Sequence, residues 1–309
     1  MPFQETLPVD EATAQWSLWS TTARVVVTDP VARDEAARIV AELADAVDRA
    51  CSRFRTDSEL SQLAGHAGSV SVSPLLAELV GTALEAARQT DGLVTPTLGA
   101  ALRELGYDRD WSEMATTGRQ VRWVEQRAPR WDDVVLDGTA LTVPSGVVLD
   151  LGSTAKAWTV DRAARIVAER LGVGSLVGIG GDLASSGPAP GGGWQVQVRD
   201  DESDAPVVVA LPSGAAVATS STRSRRWRSG GRELHHVIDP ATCQPAATAW
   251  RCVTVAAWDC VTANTLTTAA LVQGTGAVAW LRDRKLPARL LGADGSVTVV
   301  NGWPTEVAA

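Results

Sequence analysis

Residues 150–171 read DLGSTAKAWTVDRAARIVAERL, and the chain continues over 172–187 as GVGSLVGIGGDLASSG. The opening aspartate and leucine close an apolar strand, the chain turns at Gly152, and a helix starts with Lys156 in its first turn. Gly172 and Gly174 end that helix, and the apolar run behind them is a strand that breaks at two glycines before Asp182. Outward from this unit, residues 34–54 (DEAARIVAELADAVDRACSRF) keep Ala37, Val40, Leu43, Val47 and Cys51 at spacings of three and four. With acids in its first turn, that stretch is an amphipathic helix with one apolar stripe on a core. A Val-rich strand over Trp16–Asp29 precedes it. Ser73-Pro74 caps another helix reaching about Thr90, and Asp137-Gly138 turns a hairpin within 134–148.

Downstream, strand-like runs lie near Trp194–Arg199, Pro206–Leu211, Ala216–Thr219, His235–Ile238 and Cys252–Ala257. A helix over Thr262–Val272 and a strand pair around Asp294-Gly295 follow. Helices and strands do not alternate strictly, so the pattern is α+β with mixed, largely antiparallel sheets packed with helices. No internal repeat or linker interrupts it, and we expect a flexible N-terminal extension over 1–15 followed by one domain over 16–309.

The 309 residues are 45% hydrophobic and 21% charged, with a formal net charge of −8. That composition supports a sizeable core and argues against disorder, nucleic-acid binding and adhesion to an anionic membrane. No stretch reaches the roughly 20 apolar residues of a membrane span. The start, MPFQETLPVDEATAQW, carries acids and no apolar core, so a cytoplasmic protein is expected. Cys51, Cys243, Cys252 and Cys260 form no C-x-x-C pair and read as free, mostly buried thiols. Twelve Trp against two Phe and one Tyr is an unusual aromatic balance.

Chemistry-bearing residues fall in four segments. Lys156 at a helix N-terminus suits a phosphate, because unpaired N–H groups and the helix dipole add to its charge; a lysine solvated at a helix start reads the same way. Gly180, Gly181 and Asp182 either let a ligand approach the backbone or form an ordinary turn. His236, in HHVIDPATCQP, has the right chemistry for a general base near neutral pH, and equally suits a buried structural role. Asn264 and Thr268 lie four apart on one helix face and offer neutral oxygens to a hard cation such as Mg2+, with capping and core packing as the alternatives. Between Asp182 and His236, Arg223, Arg225, Arg226, Arg228 and Arg232 suit an anionic partner or the solvated edge of a sheet.

In order along the chain, SRFRTDSELSQL, TPTLGAALRELGYDRD, DLGSTAKAWTVDRAA, GGDLASSG, ATSSTRSR, HHVIDPATCQP and TANTLTTAALVQG resemble the ApbE family of FAD:protein FMN transferases, from about Trp19 to Gly274. The resemblance implies an ApbE-like (T-fold-like) α+β fold and Mg2+-dependent transfer of FMN from FAD to a Thr or Ser hydroxyl of an acceptor flavoprotein, with release of AMP. It also implies Mg2+ held by Ser153 through its carbonyl, Asn264 and Thr268, FAD contacts from Lys156, Gly180, Gly181, Asp182 and Ser220, and His236 as a flavin contact and the base. Two positions depart from the family pattern: Asn264 stands where aspartate is usual, which removes a negative charge from the cation, and Thr95 stands where many members have aspartate. FAD pyrophosphatase activity and non-catalytic FAD binding are the alternative readings.

Overall fold

The structure is a computed structural model that describes residues 10–63, 66, 68–114, 126–201, 204, 207–229 and 231–303. In chain order the hairpin β1 (Thr13–Leu18) and β2 (Thr21–Val27) leads into α1 (Arg33–Cys51). Then come α2 (Glu59–Gln62), β3 (Ser69–Ser71), α3 (Pro74–Gln89), α4 (Gly99–Glu104), β4 (Val135–Asp137) and β5 (Ala140–Thr142). The middle of the chain carries α5 (Ala155–Leu171), β6 (Ser175–Ile179), β7 (Asp182–Ser186), β8 (Trp194–Val198), β9 (Val207–Leu211) and β10 (Ala216–Ser221). Four short strands follow: β11 (Arg226–Ser229), β12 (Arg232–His235), β13 (Ile238–Asp239) and β14 (Gln244–Pro245). The last elements are β15 (Trp250–Ala257), α6 (Cys260–Gln273), α7 (Ala277–Arg284), β16 (Ala288–Gly292) and β17 (Val297–Val300).

The described residues fall into two compact units, the first drawn from Met1–Leu43, Lys156–Ser224 and Thr248–Ala309, the second from Ala44–Ala155 and Arg225–Ala247. The first is built on an eight-stranded sheet ordered β1-β2-β6-β7-β10-β15-β16-β17, antiparallel throughout. Strand β6 is buried at every position, as a central strand covered on both faces must be. On one face α6 lies along β10 and β15. On the other, the β8–β9 hairpin packs Trp194, Val196, Val198, Val209 and Leu211 against Leu176 of β6 and Val217 of β10.

In the second unit a small sheet ordered β3-β5-β4 accompanies α2, α3 and α4. The serine-glutamate-leucine stretch has a structural task here. Ser58 caps α2 by accepting from the N–H of Ser61, Glu59 accepts from both the N–H (2.6 Å) and the hydroxyl (2.5 Å) of Ser73, and Leu60 is buried. Ser73 in turn caps α3. A separate cluster joins Leu102, Leu105, Tyr107, Trp227, Leu234 and Ile238.

Two of the tryptophans combine packing with a hydrogen bond. Trp227 stacks on Tyr107 (ring centroids 5.5 Å apart) and donates to the carbonyl of Leu105 at 2.7 Å; Trp250 donates to the carbonyl of Gly274 at 2.7 Å. Each ring fills apolar volume while its one polar atom ties down a turn. All four cysteines are free and buried, and burial pushes the Cys51 thiol up to about 12.

Several local expectations need revision. The strand expected over Trp16–Asp29 is a hairpin that turns at Trp19-Ser20, and no strand runs into Asp150-Leu151 ahead of α5. The first strand begins at Thr13, within the stretch expected to be an N-terminal extension, whose residues 1–9 lie outside the described residues. The expected strand His235–Ile238 is interrupted: β12 ends at His235 and β13 starts at Ile238. An Asx-type turn follows it, with the Asp239 side chain accepting from the N–H of Ala241 at 2.9 Å and its carbonyl from the N–H of Cys243 at 2.8 Å.

Candidate active site

The turn before α5 is organised by Asp150, which is buried. Its Oδ1 accepts from the N–H of Gly152 at 2.6 Å, and its Oδ2 pairs with Arg53 Nε at 2.6 Å. The guanidinium also donates to the carbonyl of Tyr107 at 2.5 Å and lies over the rings of Phe54 and Tyr107. The N–H groups of Thr154 and Ala155 then close on the carbonyl of Leu151, which starts the helix. Ser153 is half-buried in this turn, and Lys156 is half-buried in the first turn of α5.

Farther along α5, Asp161 accepts from the N–H of Cys260 (2.7 Å) and of Val261 (3.0 Å), while Asp259 caps the same helix, α6, through the N–H of Thr262 (2.6 Å). Two carboxylates thus serve the first turn of α6. Burial dominates at Asp161 and raises its pKa to about 6, against the lowering effect of the two N–H donors. A carboxyl whose pKa is raised on folding binds its proton more tightly in the folded state. Its cost to stability is therefore full above about pH 6 and is relieved as pH falls toward 4. Between pH 7 and pH 5 the wild type should gain about 1 kcal/mol over Asp161→Asn. Urea unfolding of both proteins at the two pH values measures this.

Within the first unit the structure brings several predicted residues into contact. Strands β6 and β7 are joined by Gly180-Gly181, with Gly180 at φ 61°. A Cβ on Gly181 would stand 2.6 Å from the carbonyl oxygen of Thr219, so only glycine fits there. Asp182, 2% exposed, then opens β7 opposite Ala218 of β10. From α6, Asn264 donates through Nδ2 to Asp182 Oδ1 at 2.8 Å. One turn on, Thr267 and Thr268 place their hydroxyls 2.8 and 3.2 Å from Ser220 Oγ of β10. Asn264, Thr267 and Thr268 therefore share the helix face turned to β7 and β10.

Asn264 is 8% exposed, and its Oδ1 is buried with no hydrogen-bond partner. A buried amide oxygen without a donor is costly in water-free surroundings and suits a hard cation, with the Thr268 hydroxyl as a second oxygen of the right kind. These residues fit Mg2+. Among the described residues no cluster of three or more His, Cys, Asp or Glu offers a metal site.

In the second unit His236 is half-buried between β12 and β13. Its neighbour His235 faces Arg226 across the β11–β12 hairpin, and burial, then the Arg226 charge, lowers its pKa, so it is neutral at pH 7. Of the arginines, Arg226 pairs with Glu233 at 3.1 Å, while Arg228 and Arg232 are exposed on the same hairpin, as a solvated strand pair would have them. In the first unit Arg223 pairs with Asp201 at 3.5 Å. Thr95 is buried and caps the turn at Pro96, its hydroxyl 2.8 Å from that of Thr97.

Sequence reasoning missed the contributions of Arg53, Asp259 and Thr267. Only Asp259 had a local signal: an aspartate three residues before Thr262, at a helix start, is an N-cap pattern.

The family model described as "ApbE family" matches residues 19–290. The chain belongs to the ApbE family. A FAD:protein FMN transferase from Treponema pallidum is 31% identical over 244 residues, which cover 72% of this chain and 67% of that protein. One from Salmonella typhimurium is 27% identical over 243 residues, covering 75% and 69%. The fold agrees with the ApbE protein of Thermotoga maritima (TM-score 0.79, 24% identity, 93% of this chain and 96% of that one). It agrees also with the Pseudomonas stutzeri flavinyl transferase ApbE in its apo form (TM-score 0.75, 23% identity, 93% and 94%). The ApbE fold of this chain is thus the expected α+β arrangement of antiparallel sheet and helices. Among the described residues no helix is long and apolar enough to cross a membrane.

Proposed function

We propose that this ApbE chain is an FAD:protein FMN transferase that uses Mg2+, moves FMN from FAD to a Thr or Ser hydroxyl of an acceptor flavoprotein, releases AMP, and works in the cytoplasm. The observation that carries the reading is the match along residues 19–290, together with curated relatives that bear this activity in their names. Asn264 Oδ1 and Thr268 Oγ1 are the side-chain oxygens assigned to the cation, and the Ser153 carbonyl is assigned by resemblance alone. Bound Mg2+ supplies neutralisation of the pyrophosphate charge.

The residues of the chain do the rest. Lys156, in the first turn of α5, supplies a positive charge to a phosphate of FAD. Gly180 and Gly181, exposed in the β6–β7 turn, are assigned to the flavin by resemblance, and Ser220 offers a hydroxyl. His236 accepts the proton of the acceptor hydroxyl as that oxygen attacks the FMN-side phosphorus and AMP departs.

The test is incubation of the purified protein with FAD, Mg2+ and an acceptor domain of known flavinylation competence, read by in-gel fluorescence after denaturation and by mass spectrometry. Covalent FMN on the acceptor with release of AMP is the expected result. Free FMN with AMP would identify a pyrophosphatase, and intact FAD a binding protein, the reading that Asn264 in place of aspartate favours.

A further inference from the structure

The Asp182–Asn264 pair says how this chain can present a ligand oxygen without a carboxylate at the end of the helix. The inference rests on the reading of Asn264 as a cation ligand. A primary amide is nearly symmetric in shape, and a half-turn about Cβ–Cγ exchanges its acceptor for its donor. Something must therefore choose which end faces outward. Asp182 is 2% exposed and its backbone is held on both sides, opposite Ile179 of β6 and Ala218 of β10. Its Oδ1 lies 2.8 Å from Asn264 Nδ2. In the reversed orientation two acceptor oxygens would meet at that distance with no proton between them, and the NH2 group would take the place of the unpartnered Oδ1.

We propose that Asp182 is a positioning residue that locks Asn264 with its carbonyl oxygen turned toward a divalent cation, and that its negative charge, one hydrogen bond removed from the ion, replaces the charge of a carboxylate ligand. The partners on either side are fixed as well. Thr268 is one turn beyond Asn264 and is hydrogen-bonded to Ser220 on β10, so the two ligand oxygens are spaced by a helix whose face is tied to β7 and β10. Removing partners that orient a metal ligand typically costs 10–100-fold in metal affinity.

The test reads Mn2+ binding by electron paramagnetic resonance in the full chain saturated with FAD. Asp182→Asn keeps the shape and removes the charge, and should weaken Mn2+ by about 10–100-fold. The exchange variant Asp182→Asn/Asn264→Asp returns a carboxylate to the pair, now as the direct ligand with an amide donor behind it, and should recover most of the lost affinity. Thermal melts establish that each variant is folded; should Asp182→Asn fail to fold, Asp182→Ser carries the comparison. Wild-type Mn2+ affinity in the folded Asp182 variant, or no recovery in the exchange variant, overturns the positioning role. Asn264→Ala separates the two readings. If it binds Mn2+ as the wild type does, Asn264 is not a ligand and the underlying assignment fails.

Discussion

Replacing His236 by alanine will leave FAD binding within a few-fold of wild type and lower FMN transfer by about 10²–10⁴-fold, the span over which a positioned general base contributes. The acceptor hydroxyl is a poor nucleophile while it keeps its proton, and imidazole is the side chain whose charge changes most readily near neutral pH. Its sequence neighbour supplies the control. His235 is held in strand β12 opposite Arg226 with its pKa lowered by burial, which makes it a weaker proton acceptor. His235→Gln should therefore retain transfer. Equilibrium FAD titration and acceptor labelling on both variants decide the matter: equal losses at both positions, or unchanged transfer in His236→Ala, would remove His236 from the proton transfer.

Arg53→Ala will destabilise the second unit by about 3–5 kcal/mol, because it leaves the Asp150 carboxylate buried without its countercharge. The side chains are 9% and 11% exposed and 2.6 Å apart, so water cannot take over the lost contact. Arginine contributes more than charge here, since its plane covers Phe54 and Tyr107 and one N–H holds the Tyr107 carbonyl. Arg53→Lys should thus remain clearly destabilised. Adding Asp150→Asn to Arg53→Ala should recover part of the loss, and denaturant unfolding of the four proteins gives the coupling directly. Additive losses would show that the pair does not act as a unit.

The helix α5 and the strands behind it were legible because their signals are local. Gly172 ends the helix, apolar residues repeat along β6, and two glycines break the hairpin where Gly181 leaves no room for a Cβ. The α6 helix was legible too, but the role of Asn264 was not. The spacing alone favoured a capping role for Asn264, but Asp259 holds the cap, and Asp182, 82 residues away in sequence, holds the amide. Contacts of that kind depend on how β7 and α6 pack, which no spacing in the sequence encodes. Arg53 escaped for the same reason: its partners Tyr107 and Asp150 lie far along the chain. His235–Ile238 looked like one strand because Val237 and Ile238 are apolar and β-branched, but both are buried across a break in the pairing.

The four buried cysteines also make the protein convenient to handle. Maleimide reagents attack thiolates, and burial holds these thiols protonated and out of reach at pH 7. A single cysteine introduced at Val31, which is 91% exposed, would then be the one reactive sulfur on the folded chain. A fluorophore attached there would label the folded protein at a single site, without first preparing a cysteine-free background.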